Sequence, residues 1–309
     1  MTFSRRMFGA AVAGSAVAGA MGAGVAAARP GRPCFVLVPG AFGRAAMFAP
    51  LVSALAERGH LAVAVELPGH ARAPYSAAYQ VPQDLAAWAA VPSPLLGIGL
   101  ADYVAHTIAV VRRMGRPVIL VGASAGGLVI SLVANAVPHL VHRLVYDDAF
   151  CCVRLPSVDA YYQTPEAAGA HNEFVGPALV GNPAELGVLR VNWRSGDPWF
   201  LSEAKLAFLT ADAADAELLD VLGSLFPDDP LGVNQADARV QRGTWGRVPR
   251  TFIRHTRDGL LPIALQDRII AEADELTPRN RFDVHSVAAG HVVPAAQAST
   301  VVDIVAGLA

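Results

Sequence analysis

The apolar positions of this chain fall into two patterns. Short, mainly apolar runs rich in β-branched residues recur at Cys34 to Val38, Leu61 to Val65, Pro117 to Val121, Arg143 to Tyr146, Arg250 to His255 and Arg281 to Val287. Between them, apolar residues return every third or fourth position, over Phe48 to Arg58, Leu100 to Met114, Leu128 to Ala136, Pro262 to Ala273 and Ala295 to Leu308. A strand buried on both faces gives the first pattern, and a helix lying on a core gives the second. Pro39-Gly40, Gly59 and Leu67-Pro68-Gly69 punctuate the early elements as turns and stops. This alternation predicts an α/β fold, a mostly parallel sheet flanked by helices. Ligands of such sheets sit beyond the carboxyl ends of the strands, so the turns after the strands are where chemistry is expected.

Two stretches break the alternation. Residues 71–99 are rich in Pro, Ala and Gly without a sustained period and read as an irregular excursion. From 151 to 245 short helical pieces carry Tyr161, Tyr162, Trp193, Trp199, Phe200 and Phe208, which predicts a helical lid inserted into a core made of 29–150 and 246–309. The lid aromatics either pack a small core of their own or face the substrate.

The N-terminus is of another kind. Arg5-Arg6 precede an uncharged Gly/Ala/Val stretch that ends at Ala26-Ala27-Ala28 before Arg29-Pro30. Adjacent arginines, a weakly hydrophobic segment and small residues at its end resemble a twin-arginine signal peptide over residues 1–28, which implies the twin-arginine export machinery as a partner and an exported mature chain; the alternative is an uncleaved anchor, since the uncharged stretch could just span a bilayer. Beyond it no apolar stretch is long enough to span a membrane.

Composition narrows the function classes. The 309 residues are 53% hydrophobic and 16% charged, with mean hydropathy +0.39. That describes one large domain, or one domain with an insert, and excludes a solvated disordered chain. A formal charge of −2 leaves no basic excess to hold a nucleic acid. Lys205 is the sole lysine and reads as part of a solvated helix, which limits Schiff-base or phosphate-loop chemistry to that position. Three cysteines make no closed disulfide framework and no zinc-finger spacing, so they read as buried small hydrophobes. No metal or organic cofactor is implied.

The most specific local pattern is Gly122-Ala123-Ser124-Ala125-Gly126-Gly127, placed between an apolar strand and a helix. Gly-x-Ser-x-Gly in that context holds a serine on a sharp strained turn with its hydroxyl projecting, and small neighbours let the backbone close around it. A serine hydroxyl needs a base, and the base needs a carboxylate to orient it. Of nine histidines, His291 alone combines a late position, a preceding glycine and a strand-to-helix turn. His60, His70, His106, His139, His142 and His285 read as surface residues of helices or strand ends. Asp258, in the turn after the strand ending near His255, is the expected acid; Asp147 and Asp148 compete for that role. The order Ser124, Asp258, His291 suits a strand-turn-helix nucleophile. Two backbone donors are needed for a developing oxyanion: the N–H of Ala125, and one from the turn after the first strand, Ala41 or, as the alternative, Phe42.

With Phe35 to Ala41, Glu66 to His70, Val118 to Gly127 and the Asp258 and His291 turns in hand, the mature chain resembles the α/β-hydrolase superfamily. Within it, the chain is most similar to the plant-type methylesterase and hydroxynitrile-lyase group with its bacterial relatives. Pro39 and Ala123 depart from that group, which commonly has histidine at both places. Its lyase members carry a lysine directly after the acid; this chain has Gly259, so cyanohydrin cleavage is disfavoured. The sequence thus predicts a secreted serine esterase acting on a small-molecule ester with a hydrophobic or aryl group. Two alternatives use the same residues otherwise: acyl transfer, lactone, cyclisation or lyase chemistry on a natural product, or a non-catalytic binding protein. The second of these usually lacks a triad member.

Overall fold

In the computed structural model, residues 31–70, 76–294 and 298–309 are described. The expected signal peptide and the first residues of the expected last helix lie outside them. In chain order the strands are Cys34–Val38 (β1), Ala62–Ala64 (β2), Val118–Ala123 (β3), Val141–Asp147 (β4), Val188–Arg190 (β5), Asp228–Pro230 (β6), Arg250–His255 (β7) and Phe282–Val287 (β8). The helices are Ala49–Glu57 (α1), Leu85–Ala89 (α2), Leu100–Arg113 (α3), Gly126–Ala136 (α4), Val158–Tyr162 (α5), Pro183–Leu186 (α6), Pro198–Phe208 (α7), Asp215–Ser224 (α8), Ile263–Leu276 (α9) and Ser299–Ala306 (α10).

The unbroken apolar runs have a direct cause. Successive strand residues point to opposite faces, and here both faces are covered. Val36, Val38, Leu120, Tyr146 and Phe252 join Leu128, Val133, Leu265 and Ile269 of α4 and α9 on one side. Phe35, Leu37, Ile119, Val121, Val145 and Ile253 join Leu55, Val301 and Val305 of α1 and α10 on the other. Each such burial stabilises the fold by about 1.5–3 kcal/mol, so the sheet centre is the rigid part of the molecule.

Six strands form one sheet in the order β2-β1-β3-β4-β7-β8, and every neighbouring pair is parallel. The chain leaves β1 for β2 on one side, then crosses to β3 on the other. The strand order therefore reverses between β1 and β3, where a parallel sheet opens a crevice at its carboxyl edge. The register Val38↔Gly122 sets the turns after these two strands side by side.

The segment between β4 and β7 carries α5 to α8, as the lapse in alternation predicts, together with a two-stranded antiparallel ribbon, β5 with β6. Phe174, Trp193, Phe200 and Phe208 pack together with Leu218 and Leu222 as its own core, while Trp199 is exposed. The excursion before α3 contains α2, capped by the Asp84 carboxylate, which accepts from Ala87 N–H. One reading of the sequence is corrected. His70, expected at the surface, is fully buried, its ring 5.0 Å from that of Phe226 and 5.9 Å from that of Tyr103. Burial pushes its pKa down to about 4, so it packs as a neutral aromatic. Among the described residues no helix is long and apolar enough to cross a membrane.

Candidate functional site

Ser124 sits between β3 and α4 with φ of 51°, a left-handed conformation unusual for a side-chain-bearing residue. The surroundings hold it there. Its carbonyl accepts from Gly127 N–H and Phe150 N–H, both at 3.1 Å. The flanking glycine is dictated by close approach, because a Cβ on Gly126 would fall 2.5 Å from the Val38 carbonyl oxygen. The turn after β1 presses on the serine in the same way, since a Cβ on Gly40 would lie 2.8 Å from Ser124 Cβ and 3.3 Å from Ala125 N.

That contact makes the chain around Ala41 a neighbour of Ala125, which is the N-cap of α4, at the end of the helix where a negative charge is favoured. The alternative donor is already engaged: Phe42 N–H donates to Asp229 Oδ1 at 3.0 Å. Phe42 itself has φ of 57°. Of the two first-turn candidates, Ala41 is the one without that competing acceptor.

Asp258 and His291 come together as their turns predict. Asp258 Oδ1 accepts from Leu260 N–H and Leu261 N–H, both at 2.8 Å, which aims Oδ2 outward. His291 Nδ1–H donates to that Oδ2 at 2.9 Å, leaving Nε2 as the nitrogen able to take a proton. The histidine turn is clamped from the lid, where Phe208 carbonyl accepts from Val292 N–H at 2.7 Å. Gly259 also has a steric reason: a Cβ there would lie 2.0 Å from the Leu206 carbonyl oxygen of α7. A lysine in that place, as in the lyases, does not fit against this lid.

Of the two competing acids Asp148 also reaches the histidine, beside a second histidine that the sequence did not single out. Asp148 Oδ2 lies 2.8 Å from His291 Nδ1, off the direction of the N–H that Asp258 receives. Beside it stands buried His255, whose Nδ1–H donates to the Gly290 carbonyl at 2.8 Å and whose Nε2 is 3.2 Å from Asp147 Oδ1. Burial drives the Asp148 carboxyl up to about 7, against the pull of His255 and His291. Burial disfavours charge on His255 too, yet Asp148 and Asp147 outweigh it and raise its pKa to about 10. For His291 burial is likewise outweighed, by Asp258 and Asp148, and its pKa stands well above the ordinary histidine value. Asp148, His255 and His291 therefore exchange protons together rather than singly. The only signal in the sequence was the pair Asp147-Asp148 at the end of β4; that β7 would set His255 beside it depends on strand pairing.

Two sets, Asp147, Asp148 and His255, and Asp148, Asp258 and His291, place potential metal-ligand atoms within 4.8 Å of one another. A metal ion at the second set would take the Nδ1 position of His291 and with it the hydrogen bond that orients the ring.

Ser124, Ala125, Ala41 and His291 line one cavity of about 470 Å³, with Asp258 behind its wall. The lining is mainly apolar, with Phe42 and Phe150 joined by the lid's Tyr162, Phe174, Trp193 and Phe208. Phe174, Trp193 and Phe208 thus pack the core of the insert and line the cavity as well. Asp147, Asp148 and Asp159 reach the cavity, and no arginine or lysine is among its lining residues.

Several solved structures share this architecture. A pyrethroid hydrolase from Sphingobium faniae superposes with a TM-score of 0.65 at 19% identity, over 89% of this chain and 96% of that one. An extracellular alpha/beta-hydrolase from a Paenibacillus species, described as sharing structural and functional homology with tobacco salicylic acid binding protein 2, gives 0.59 at 17% identity, over 90% and 97%. Polyneuridine aldehyde esterase gives 0.59 at 18% identity, over 90% and 99%. At such identities the likeness is one of fold. No curated protein matches the chain. The profile of the alpha/beta hydrolase family matches residues 35–304, from within β1 to within α10, and the chain belongs to that family.

Proposed function

We propose that the protein is an exported serine hydrolase that cleaves carboxylic esters carrying a hydrophobic or aryl group. The observation that carries this reading is the His291–Asp258 hydrogen bond, in a site whose cavity is shared by His291 and a serine held at positive φ. His291 Nε2 removes the Ser124 proton as Oγ attacks the ester carbonyl. The oxyanion is met by the N–H groups of Ala41 and Ala125, and the positive end of α4 favours it further. His291 then hands its proton to the departing alcohol, leaving an acyl group on Ser124 Oγ. Water, deprotonated by the same nitrogen, attacks the acyl carbon and frees the acid. Asp258 keeps the imidazole in the right tautomer and stabilises its cation.

The substrate class follows from the cavity. An apolar wall without a cationic side chain favours apolar esters over carboxylate-bearing ones. The pyrethroid hydrolase and the esterase among the fold neighbours are consistent with ester chemistry. Gly259, pressed against Leu206, speaks against the lyase alternative. Export rests on the Arg5-Arg6 pattern and the small residues before Arg29.

The test is release of p-nitrophenol from short-chain p-nitrophenyl esters by the mature chain starting near Arg29, beside Ser124→Ala. The proposal expects turnover that the variant loses. Equal background rates in both would overturn it.

A further inference from the structure

We infer that His291 is served by two carboxylates rather than one, with Asp148 a positioning residue that can take the place of Asp258 as acceptor of the Nδ1–H. The inference rests on the serine-hydrolase reading above. Its ground is geometric: Asp258 Oδ2 at 2.9 Å and Asp148 Oδ2 at 2.8 Å both crowd the same nitrogen. An Nδ1–H can point at only one of them, and here it points at Asp258, so Asp148 Oδ2 is a buried carboxylate oxygen without a hydrogen bond. Leaving such an oxygen unpaired is costly. A small rotation of the imidazole transfers the bond and satisfies it.

The two acids reach the histidine from different strands. Asp258 comes from the turn after β7, and Asp148 follows β4 directly with φ of 37°, its N–H donating to the Ile253 carbonyl at 2.9 Å. A buried non-glycine residue held in that conformation stores strain, which persists where the surroundings impose it. His255 supplies the restraint. A carbonyl only accepts, so the Gly290 contact requires a proton on His255 Nδ1. His255 Nδ1 then lies 3.6 Å from Asp148 Oδ2 while Nε2 faces Asp147. His255 therefore ties three parts together: Asp147 at the end of β4, Asp148 beyond it, and the backbone of the residue before His291.

The arrangement has a kinetic consequence. The charged and titratable groups around His291 are Asp148 and Asp258 directly, His255 and Asp147 behind them, and the half-buried Tyr162, which also lines the cavity. Two carboxylates favour the imidazolium more than one does, and base catalysis requires the neutral ring. Removing the Asp148 charge therefore moves the acid limb of the rate profile to lower pH, while removing Asp258 leaves a working, reoriented histidine.

The experiment compares Asp258→Asn, Asp148→Asn and the double variant in p-nitrophenyl ester hydrolysis from pH 5 to 10. Loss of a sole orienting carboxylate costs about 10,000-fold. Asp258→Asn is expected to lose only about 10- to 100-fold, with the full loss appearing in the double variant, because coupled residues are not additive. Asp148→Asn is expected to shift the acid limb of kcat/KM down by about one pH unit, which a purely structural role would not do. Asp258→Asn as inactive as the double variant, or an unmoved acid limb in Asp148→Asn, would overturn the inference. If Asp148→Asn does not fold, the residual rate of Asp258→Asn decides alone. Wild-type turnover no greater than that of Ser124→Ala is the distinct outcome that would fell the serine-hydrolase reading first, and the inference with it.

Discussion

Two buried ionic groups of this molecule are built on opposite principles. In the lid, Arg190 meets Asp228 through two parallel bonds of 2.8 Å, gives both Nη1 donors to the Trp88 and Val91 carbonyls, and lies 5.2 Å from the centre of the Trp88 ring. One cation faces one anion, and both carboxylate oxygens are satisfied. At the carboxyl edge of the sheet, three carboxylates, Asp147, Asp148 and Asp258, surround two imidazoles, His255 and His291, and one carboxylate oxygen has no hydrogen bond. A satisfied pair ties the β5–β6 ribbon to the segment around α2 and can do little else. An unbalanced set keeps protons that can move, which is the condition for acid–base work.

The comparison breaks most sharply through His291. His291→Ala is expected to lower kcat/KM by about 10,000-fold or more, measured by ester hydrolysis with circular dichroism to confirm the fold. Arg190→Ala strips a cation from a buried pair and should cost about 3–5 kcal/mol of stability, read from the urea midpoint. Its surviving activity should keep the wild-type acid limb, because Arg190 lies outside the cavity that His291 lines. Gly259→Ala drives a methyl into the Leu206 carbonyl, and overpacking of this kind costs about 1–3 kcal/mol. The strain falls between the acid turn and α7, so KM should rise as the lid is displaced.

The smallest effect is the most diagnostic of imbalance. His255, raised from 6.5 to about 10 in the folded state, contributes stability that is full below pH 6.5 and is lost as pH rises toward 10. Asp148, raised from 3.8 to about 7, binds a proton in the folded chain that the unfolded chain has released, so between these values its share also falls as pH rises. Both terms have one sign. His70, pushed down from 6.5 to about 4, works the other way between those values, so the urea midpoint should decline clearly from about pH 6.5 to 10, and the Asp148→Asn variant should decline less.

Much of this was legible along the chain. The Ser124, Asp258 and His291 turns announced themselves because each places a reactive residue type directly after an apolar run, and the sheet's topology gathers such turns. Burial of β1 and β3 on both faces explains why whole runs, rather than every second residue, are apolar. The Asp148–His255 contact was not legible, because it arises from the pairing of β4 with β7, where Asp147 and Ile253 are register partners. His70 misled because a polar residue after Leu-Pro-Gly suggests an exposed turn, whereas packing on Tyr103 and Phe226 takes it inside as a neutral ring. The β5–β6 ribbon was hidden for a different reason: its strands have three residues each, and one reads Asp-Asp-Pro, a poor strand former on its own. There the Arg190–Asp228 pair and lid packing override local preference.

The central claim is that Ser124 is an activated nucleophile, and covalent capture tests it most directly. Incubation of the folded chain with an organophosphate ester, followed by intact-mass and peptide mass spectrometry, should give one phosphoryl adduct, on Ser124, and His291→Ala should be labelled far more slowly. A chain that stays unmodified, or an adduct on any other residue, would contradict the account.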